Sequence, residues 1–312
     1  MILIRLVVLA FLLLPLARPA AAVVTFTDDS GQKIVVTTPF RRVISLYGAH
    51  TENLFSLGLD REIIGVSPHE SYPPAAGRKP VFSYRDDPER FLAARPDLVL
   101  VRPMIMRGHR NLVASLQRAG ITVISLQPRS VKAMLDYWRK LGAITGRQRQ
   151  AEAMVKRFTS GLARIKARVA AIPPHRRLRV FFESIHRRMK TFAPSSLAIF
   201  ALQAAGGINA AADAVPVRST NIAAYGKEHI LALANTMDVY LAQRGPMNRV
   251  TRDQIINEPG FAALKAVRRG RVYIIDEQLV SRPTLRLLQG IAVIQGLLYP
   301  HLPAASPGKA RP

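Results

Sequence analysis

Short apolar runs of four to six residues, each followed by a segment with helical spacing, recur along this chain and limit what it can fold into. Val43-Ile-Ser-Leu46, Ile63-Ile-Gly-Val66, Asp97-Leu-Val-Leu-Val101 and Ile121-Thr-Val-Ile-Ser-Leu126 are such runs in the first half. Leu178-Arg-Val-Phe-Phe182, Asp238-Val-Tyr-Leu-Ala242 and Val272-Tyr-Ile-Ile275 repeat the pattern in the second. Strands that are apolar throughout, rather than alternately, are buried on both faces, as in a parallel sheet covered by helices. Helices are expected at Thr51–Leu57, capped by Thr51 and stopped by Gly58, and at Pro88–Ala94 and His109–Ala119. Further helices are expected at Ser195–Ala205, Lys227–Ala234 and Thr284–Leu298. From Val131 to Ile172 the pattern is helical almost throughout. There Met154, Phe158, Leu162, Ile165, Val169 and Ile172 form one apolar stripe, which Pro173-Pro174 ends. The chain therefore reads as an α/β protein of two strand–helix blocks around one long helix.

The N-terminus sets the compartment. A short basic start with Arg5, an apolar run from Leu6 to Ala17 and an Ala20-Ala-Ala22 end have the form of a secretory leader cleaved after Ala22. The run is too short to span a bilayer, which takes roughly 20 apolar residues. The chain has no cysteine, which excludes a lipid tether, disulfides and thiolate metal sites. The sequence divides into a leader at 1–22, an N-terminal lobe at 23–148, a connecting helix at 149–173, a C-terminal lobe at 174–303 and a disordered tail at 304–312. Lys and Arg total 45 against 20 acids, a net +25. Loss of Arg5 and Arg18 with the leader leaves 43 against 20, or +23. Such a field favours anionic partners. Export removes nucleic acid from consideration and leaves a periplasmic, monomeric protein facing anionic ligands.

Ligands of open α/β sheets collect beyond the carboxyl ends of the strands. That rule selects Tyr47 and His50 after the first strand, and Arg102, Met104 and Arg107 after the third. It also selects His186, Arg187 and Arg188, then Gln243, Arg244 and Met247, in the second block. Two such ends facing each other would form a basic cleft. No Gly-x-Gly-x-x-Gly, phosphate-binding loop or Gly-x-Ser-x-Gly elbow is present, so no enzyme signature emerges. Asp28-Asp29 and Asp86-Asp87 read as turn residues. His50, His109 and His186 could bind a bare metal ion if their imidazoles converged, although no two histidines have the i, i+4 spacing of a helical zinc motif.

The segment Val43-Ile-Ser-Leu-Tyr-Gly-Ala-His-Thr-Glu-Asn-Leu-Phe-Ser-Leu-Gly58, followed by Ile64-Gly-Val66, resembles the opening of the periplasmic binding proteins for ferric siderophores and cobalamin. Pro88-Glu-Arg-Phe-Leu-Ala-Ala-Arg-Pro-Asp-Leu-Val-Leu100 is similar to that family's segment of a glutamate followed by a Pro-Asp-Leu-Val strand. Gly206-Gly-Ile-Asn209, Lys227-Glu-His-Ile-Leu231 and Phe261 to Tyr273 are similar to its second lobe. The resemblance implies two Rossmann-like lobes with mainly parallel sheets joined by one long α-helix, and no catalysis or resident cofactor. Its partners would be the permease and ATPase subunits of an ABC importer. Glu89 and Glu228 match the glutamates, one per lobe, that dock onto the permease. Tyr47, Tyr84 and Arg102 fall where the family places cleft residues, with Met104, His186, Arg188, Gln243 and Arg244 as neighbours. Arg282, in the turn Ser281-Arg-Pro-Thr284, either lines the cleft or caps the last helix. The implied ligand is an anionic iron chelate, either a ferric siderophore or haem, or else a corrinoid. The only tryptophan, Trp138, lies in the connector, whereas cobalamin-binding members use tryptophans in the cleft. A metal-ion carrier and a secreted enzyme on the same fold are the alternatives.

Overall fold

The computed structural model of the chain describes residues 23–302 apart from Ser219. The leader expected at 1–22 and the tail expected at 304–312 lie outside the described residues. Strands β1 (Val24–Thr27) and β2 (Lys33–Val36) form an antiparallel hairpin that the sequence pattern did not announce. Asp28 holds its turn. One carboxylate oxygen accepts from the Ser30 and Gln32 amides, and the other accepts from the Ser125 amide at 2.9 Å.

The first apolar runs become β3 (Val43–Ser45), β4 (Ile63–Val66), β5 (Leu98–Val101) and β6 (Thr122–Ser125). They pair in the order β4-β3-β5-β6, all parallel. Alternate residues face two different cores: Leu98 and Leu100 of β5 point one way, Val99 and Val101 the other. Around this sheet lie α1 (Gly48–Ser56), α2 (Pro88–Ala94), α3 (Pro103–Gly108) and α4 (Arg110–Arg118). Helix α1 starts three residues before the expected cap. Thr51 Oγ1 is instead 2.8 Å from Ser45 Oγ inside the protein.

The long helical stretch is two helices, α5 (Val131–Thr145) and α6 (Gln148–Ala170). The break falls at Gly146, whose φ of +68° ends α5 in the left-handed conformation that a glycine adopts without steric cost. The second sheet contains β7 (Arg179–Ile185), β8 (Lys190–Phe192), β9 (Ile208–Asn209), β10 (Val215–Pro216), β11 (Ile222–Ala224), β12 (Val239–Arg244) and β13 (Val272–Asp276). Strands β9, β7, β12 and β13 are parallel neighbours. Strands β8, β11 and β10 extend the sheet antiparallel from the other half of the β7 edge. They are two or three residues long, too short to leave a periodic signal. Helices α7 (Leu197–Ala204), α8 (Lys227–Ala232), α9 (Arg252–Ile256), α10 (Lys265–Arg268), α11 (Glu277–Val280) and α12 (Leu287–Leu298) complete the fold.

One apolar core runs through both lobes. It joins Leu54, Leu98 and Ile124 of the first sheet's side to Trp138 and Phe158 of the connector, then to Phe182, Leu241 and Ile291 of the second. A large hinge rotation would have to open this shared core.

Helix α12 packs closely against the backbone of α11. A Cβ at Gly290 would sit 2.2 Å from the Leu279 carbonyl oxygen, whereas one at Gly296 would meet open space. Gly290→Ala is expected to destabilise the protein by about 1–3 kcal/mol through backbone overpacking. Gly296→Ala is expected to stabilise it by roughly 0.5–1 kcal/mol through helix propensity. Urea unfolding of the two variants checks this, and similar midpoints would contradict the packing described.

Candidate functional site at the lobe seam

The carboxyl ends of β3 and β4 meet the segment that follows β13. Arg282 reaches across, donating from Nη1 to Glu52 Oε1 at 3.0 Å and to Glu70 Oε2 at 3.4 Å. Arg286 donates to the same Glu52 oxygen at 3.4 Å, and its guanidinium lies 4.1 Å from the Tyr72 ring centroid. Ser71 and Gln278 hydrogen-bond across the same seam at 3.3 Å. The Pro283 carbonyl accepts from Trp138 Nε1 at 3.1 Å and from Asn53 Nδ2 at 3.0 Å. Burial pushes the Glu52 and Glu70 carboxyls up, and Arg282 pulls both back down. Glycine leaves room for these side chains as they stand: a Cβ on Gly48 would collide with the Arg282 guanidinium, and one on Gly245 with the Glu277 carboxyl.

Beside this seam, Arg102 lies 4.6 Å over the Tyr47 ring and its Nη2 is 3.4 Å from Met104 Sδ. Its enclosed Nε has no hydrogen-bond partner. Tyr47, Arg102 and Met104 are thus brought together at the ends of β3 and β5, with Met104 41% exposed. Burial raises the Tyr47 hydroxyl above its ordinary range, so it stays a protonated donor. Tyr84 packs on His109 with ring centroids 4.6 Å apart. On the second lobe Arg187, Arg188, Arg244 and Met247 are exposed at the strand ends.

Three expected ligand contacts are turned elsewhere. His50 is fully buried, not in the cleft: Nε2 donates to the Val101 carbonyl at 3.1 Å and Nδ1 accepts from the Tyr137 hydroxyl at 2.6 Å. Burial lowers its pKa to about 4, so the ring is neutral. Gln243 is also fully buried, donating to the Ser184 carbonyl and accepting from Ser281 Oγ at 2.7 Å. Arg282 is a bridge between lobes whose charge two glutamates already share. The sequence reading missed those partners, Glu52 and Glu70, together with Glu277. Their signal was faint: Glu52 and Asn53 follow His50 and Thr51 in a short helix whose buried polar residues have no distinctive spacing.

His186 hangs on a buried acid. Its Nδ1 is 2.8 Å from Glu183 Oε2, which also accepts from the Tyr240 hydroxyl, and its Nε2 is 3.6 Å from Glu258. The hydrogen bond to Glu183 raises its pKa. His50, His109 and His186 therefore have separate partners, and among the described residues no three metal-ligating side chains form a cluster. Glu89 and Glu228 occupy equivalent places. Each is exposed in the first turn of a short helix, α2 or α8, leading towards a central strand, β5 or β12, and neither is ion-paired among the described residues.

Two outcomes follow. Arg282→Leu leaves two buried carboxylates without their shared cation and should cost about 3 kcal/mol. Chemical denaturation measures it, and a cost below about 1 kcal/mol would remove the bridge as a structural element. His50 is neutral when folded but titrates near 6.5 when unfolded, so the unfolded chain binds more protons between those values. Stability is present above pH 6.5 and is lost as pH falls towards 4. From pH 7 to 4.5 the native protein should lose about 2–3 kcal/mol more than His50→Gln, by urea titrations at both pH values.

Residues 43–279 match the family described as periplasmic binding protein. The chain is 26% identical over 280 residues to an uncharacterized ABC transporter substrate-binding lipoprotein, YvrC, of Bacillus subtilis, covering 89% of this chain and 86% of that one. It is 24% identical over 265 residues to the vitamin B12-binding protein of Vibrio cholerae, covering 81% and 87%. The solved structure of a periplasmic heme binding protein from Pseudomonas aeruginosa superposes with a TM-score of 0.72 at 22% identity, over 86% of this chain and 95% of that one. The match spans most of both lobes and the connector between them, and the chain belongs to the periplasmic binding protein family.

Proposed function

We propose that this protein is the periplasmic capture component of an ABC importer that holds a bulky anionic metal chelate between its lobes and delivers it to the membrane permease. The ligand is an iron chelate, haem or a corrinoid. One observation carries the reading: half-buried Arg102 lies over the Tyr47 ring beside the seam and is not ion-paired among the described residues. An aromatic face beside an unspent guanidinium suits a flat, anionic guest, which stacks on the ring and accepts a charged hydrogen bond. Exposed Arg188 and Arg244 supply further positive charge from the opposite lobe. Similarity to proteins named for vitamin B12 and heme supports the same ligand class. Among these ligands, haem and iron chelates are favoured over a corrinoid, because Trp138 is buried in the seam and offers no indole to the cleft. Capture and delivery need no bond chemistry, and the residues at the seam are spent on ion pairs.

Glu89 and Glu228 are the docking points. Two carboxylates on separate lobes can bind two cationic sites of a permease only at one lobe spacing, and so report the loaded state. The Glu89→Arg/Glu228→Arg double variant should retain ligand affinity and lose uptake. Lost affinity with uptake retained would overturn the assignment. Arg102→Ala should weaken ligand binding by about 1.5–3 kcal/mol, the value of a charged hydrogen bond. Titration calorimetry reads this with the ligand identified from the absorption spectrum of protein purified from its own periplasm. A Soret band, a charge-transfer band or a corrin spectrum distinguishes the three classes, and a colourless protein with none bound on reconstitution sinks the proposal.

A further inference from the structure

A cavity of about 390 Å³ lies at the opposite end of the second lobe from the seam, where α6 and α7 both finish and the chain enters β7. Its lining is Lys166, Val169 and Ala170 from α6, Arg177 from the approach to β7, and Phe200, Gln203 and Ala204 from α7. Ligands of this fold collect at the carboxyl ends of the strands, and this cavity is at the amino end of β7. It is therefore a different place from the seam.

The lining is divided by chemistry. Val169 and Ala204 are buried, and Phe200 is half-buried beside them, giving one apolar wall. Lys166 is exposed at the rim, and Arg177 is half-buried with its Nε enclosed and without a partner. Neither cation is ion-paired among the described residues. The polar groups nearby are already used. Asp238 is committed to Lys265 at 2.6 Å and to the Arg179 amide at 2.9 Å. The Tyr299 hydroxyl accepts from the Leu178 amide and donates to the Gly206 carbonyl. Two helix C-termini converge here, and cations commonly offset such dipoles. Yet no hydrogen bond runs from Lys166 or Arg177 to a terminal carbonyl of α6 or α7, so these cations are not spent as caps. The exposed face of α6 adds Arg149, Lys156, Arg157 and Arg164, and its single acid, Glu152, is held by Arg139 at 2.8 Å. The exposed face of the connector is thus positive along its length and attracts anions.

We propose that this cavity binds one anionic amphiphile, with its carboxylate or phosphate head on Lys166 and Arg177 and its hydrocarbon body against Val169, Phe200 and Ala204. The volume lies at the low end of small-molecule sites, about 300–1,000 Å³. It holds a head group and the first part of a chain. The same chemistry comes from a free fatty acid or from an anionic phospholipid at a bilayer surface.

Calorimetric titration of the mature protein with dodecyl phosphate below its micelle concentration tests the site. Saturable binding at one site is expected, weakened at least tenfold in Lys166→Gln/Arg177→Gln. It should stay within twofold in Arg149→Gln/Arg157→Gln, which removes equal charge from the same helix, and in Arg102→Ala at the seam. The last comparison keeps this site independent of the proposed import ligand. Absence of saturable binding, equal loss in both double variants, or equally tight binding of inorganic phosphate would each overturn the proposal. Flotation with vesicles of phosphatidylglycerol in phosphatidylcholine then separates the sources. Co-flotation that depends on Lys166 and Arg177 assigns the lipid, and soluble-probe binding without flotation assigns the free amphiphile.

Discussion

The arrangement of the site depends on one short segment, Ser281 to Pro283, lodged against the first lobe. The Pro283 carbonyl takes hydrogen bonds from Trp138 and Asn53, and Arg282 beside it sits between Glu52 and Glu70. Burying this many charges is weak as a source of stability, because desolvation consumes most of the Coulombic gain. Its effect is registration. A guanidinium that must reach two carboxylates leaves the lobes little freedom to slide, and the directional bonds at Pro283 fix the same spacing. The apolar core running through both lobes supplies the stabilisation, whereas the ion network selects one relative position. Gly48 and Gly245 are the places where this network touches the backbone, one from each lobe.

The α/β architecture was legible because parallel strands buried on both faces must be apolar at every position. Val43–Ser45 and Leu98–Val101 are enclosed throughout, so no alternation confuses them with half-exposed strands. The same logic explains what was not legible. Strands such as Val215–Pro216 and Ile222–Ala224 are too short for any period to register, and their pairing comes from tertiary context. Thr51 has the chemistry of a helix cap, and the chain used its hydroxyl against Ser45 instead. Helix α1 could begin at Gly48 because the small residues Gly48 and Ala49 allow it to start against the sheet.

For the site, the strand-end rule selects loops without fixing which way each side chain turns. Tyr47 and His50 are one helical turn apart and their rings touch edge-to-face at 5.1 Å, yet the first is half-buried beside Arg102 and the second is enclosed. A single helical turn decides between cleft and core, and sequence spacing does not resolve it. Arg282 illustrates the second obstacle. Its partners Glu52 and Glu70 stand 230 and 212 positions away along the chain, so no local charge pattern exposes the pairing. Arg102, Arg188 and Arg244 lie at the strand ends where that rule puts them, and none is ion-paired among the described residues.

The distribution of charge, more than its total, bears on how an anion is held. The excess of 25 positive charges suggests a strongly basic cleft. At the seam, however, Glu52, Glu70 and Glu277 stand against Arg102, Arg282 and Arg286, three charges of each sign. The floor is close to balanced, and the surplus resides on rim arginines and on the exposed face of α6. A guest at the seam would feel attraction from the rim as it arrives and would then face one unspent donor, Arg102, rather than a pool of cations. Such an arrangement favours a ligand whose negative groups are spaced to reach both Arg102 and the rim, and disfavours a small anion that could satisfy only one of them. On the proposed reading, long-range charge would set the rate of encounter, and the few unpaired donors would set which anion remains.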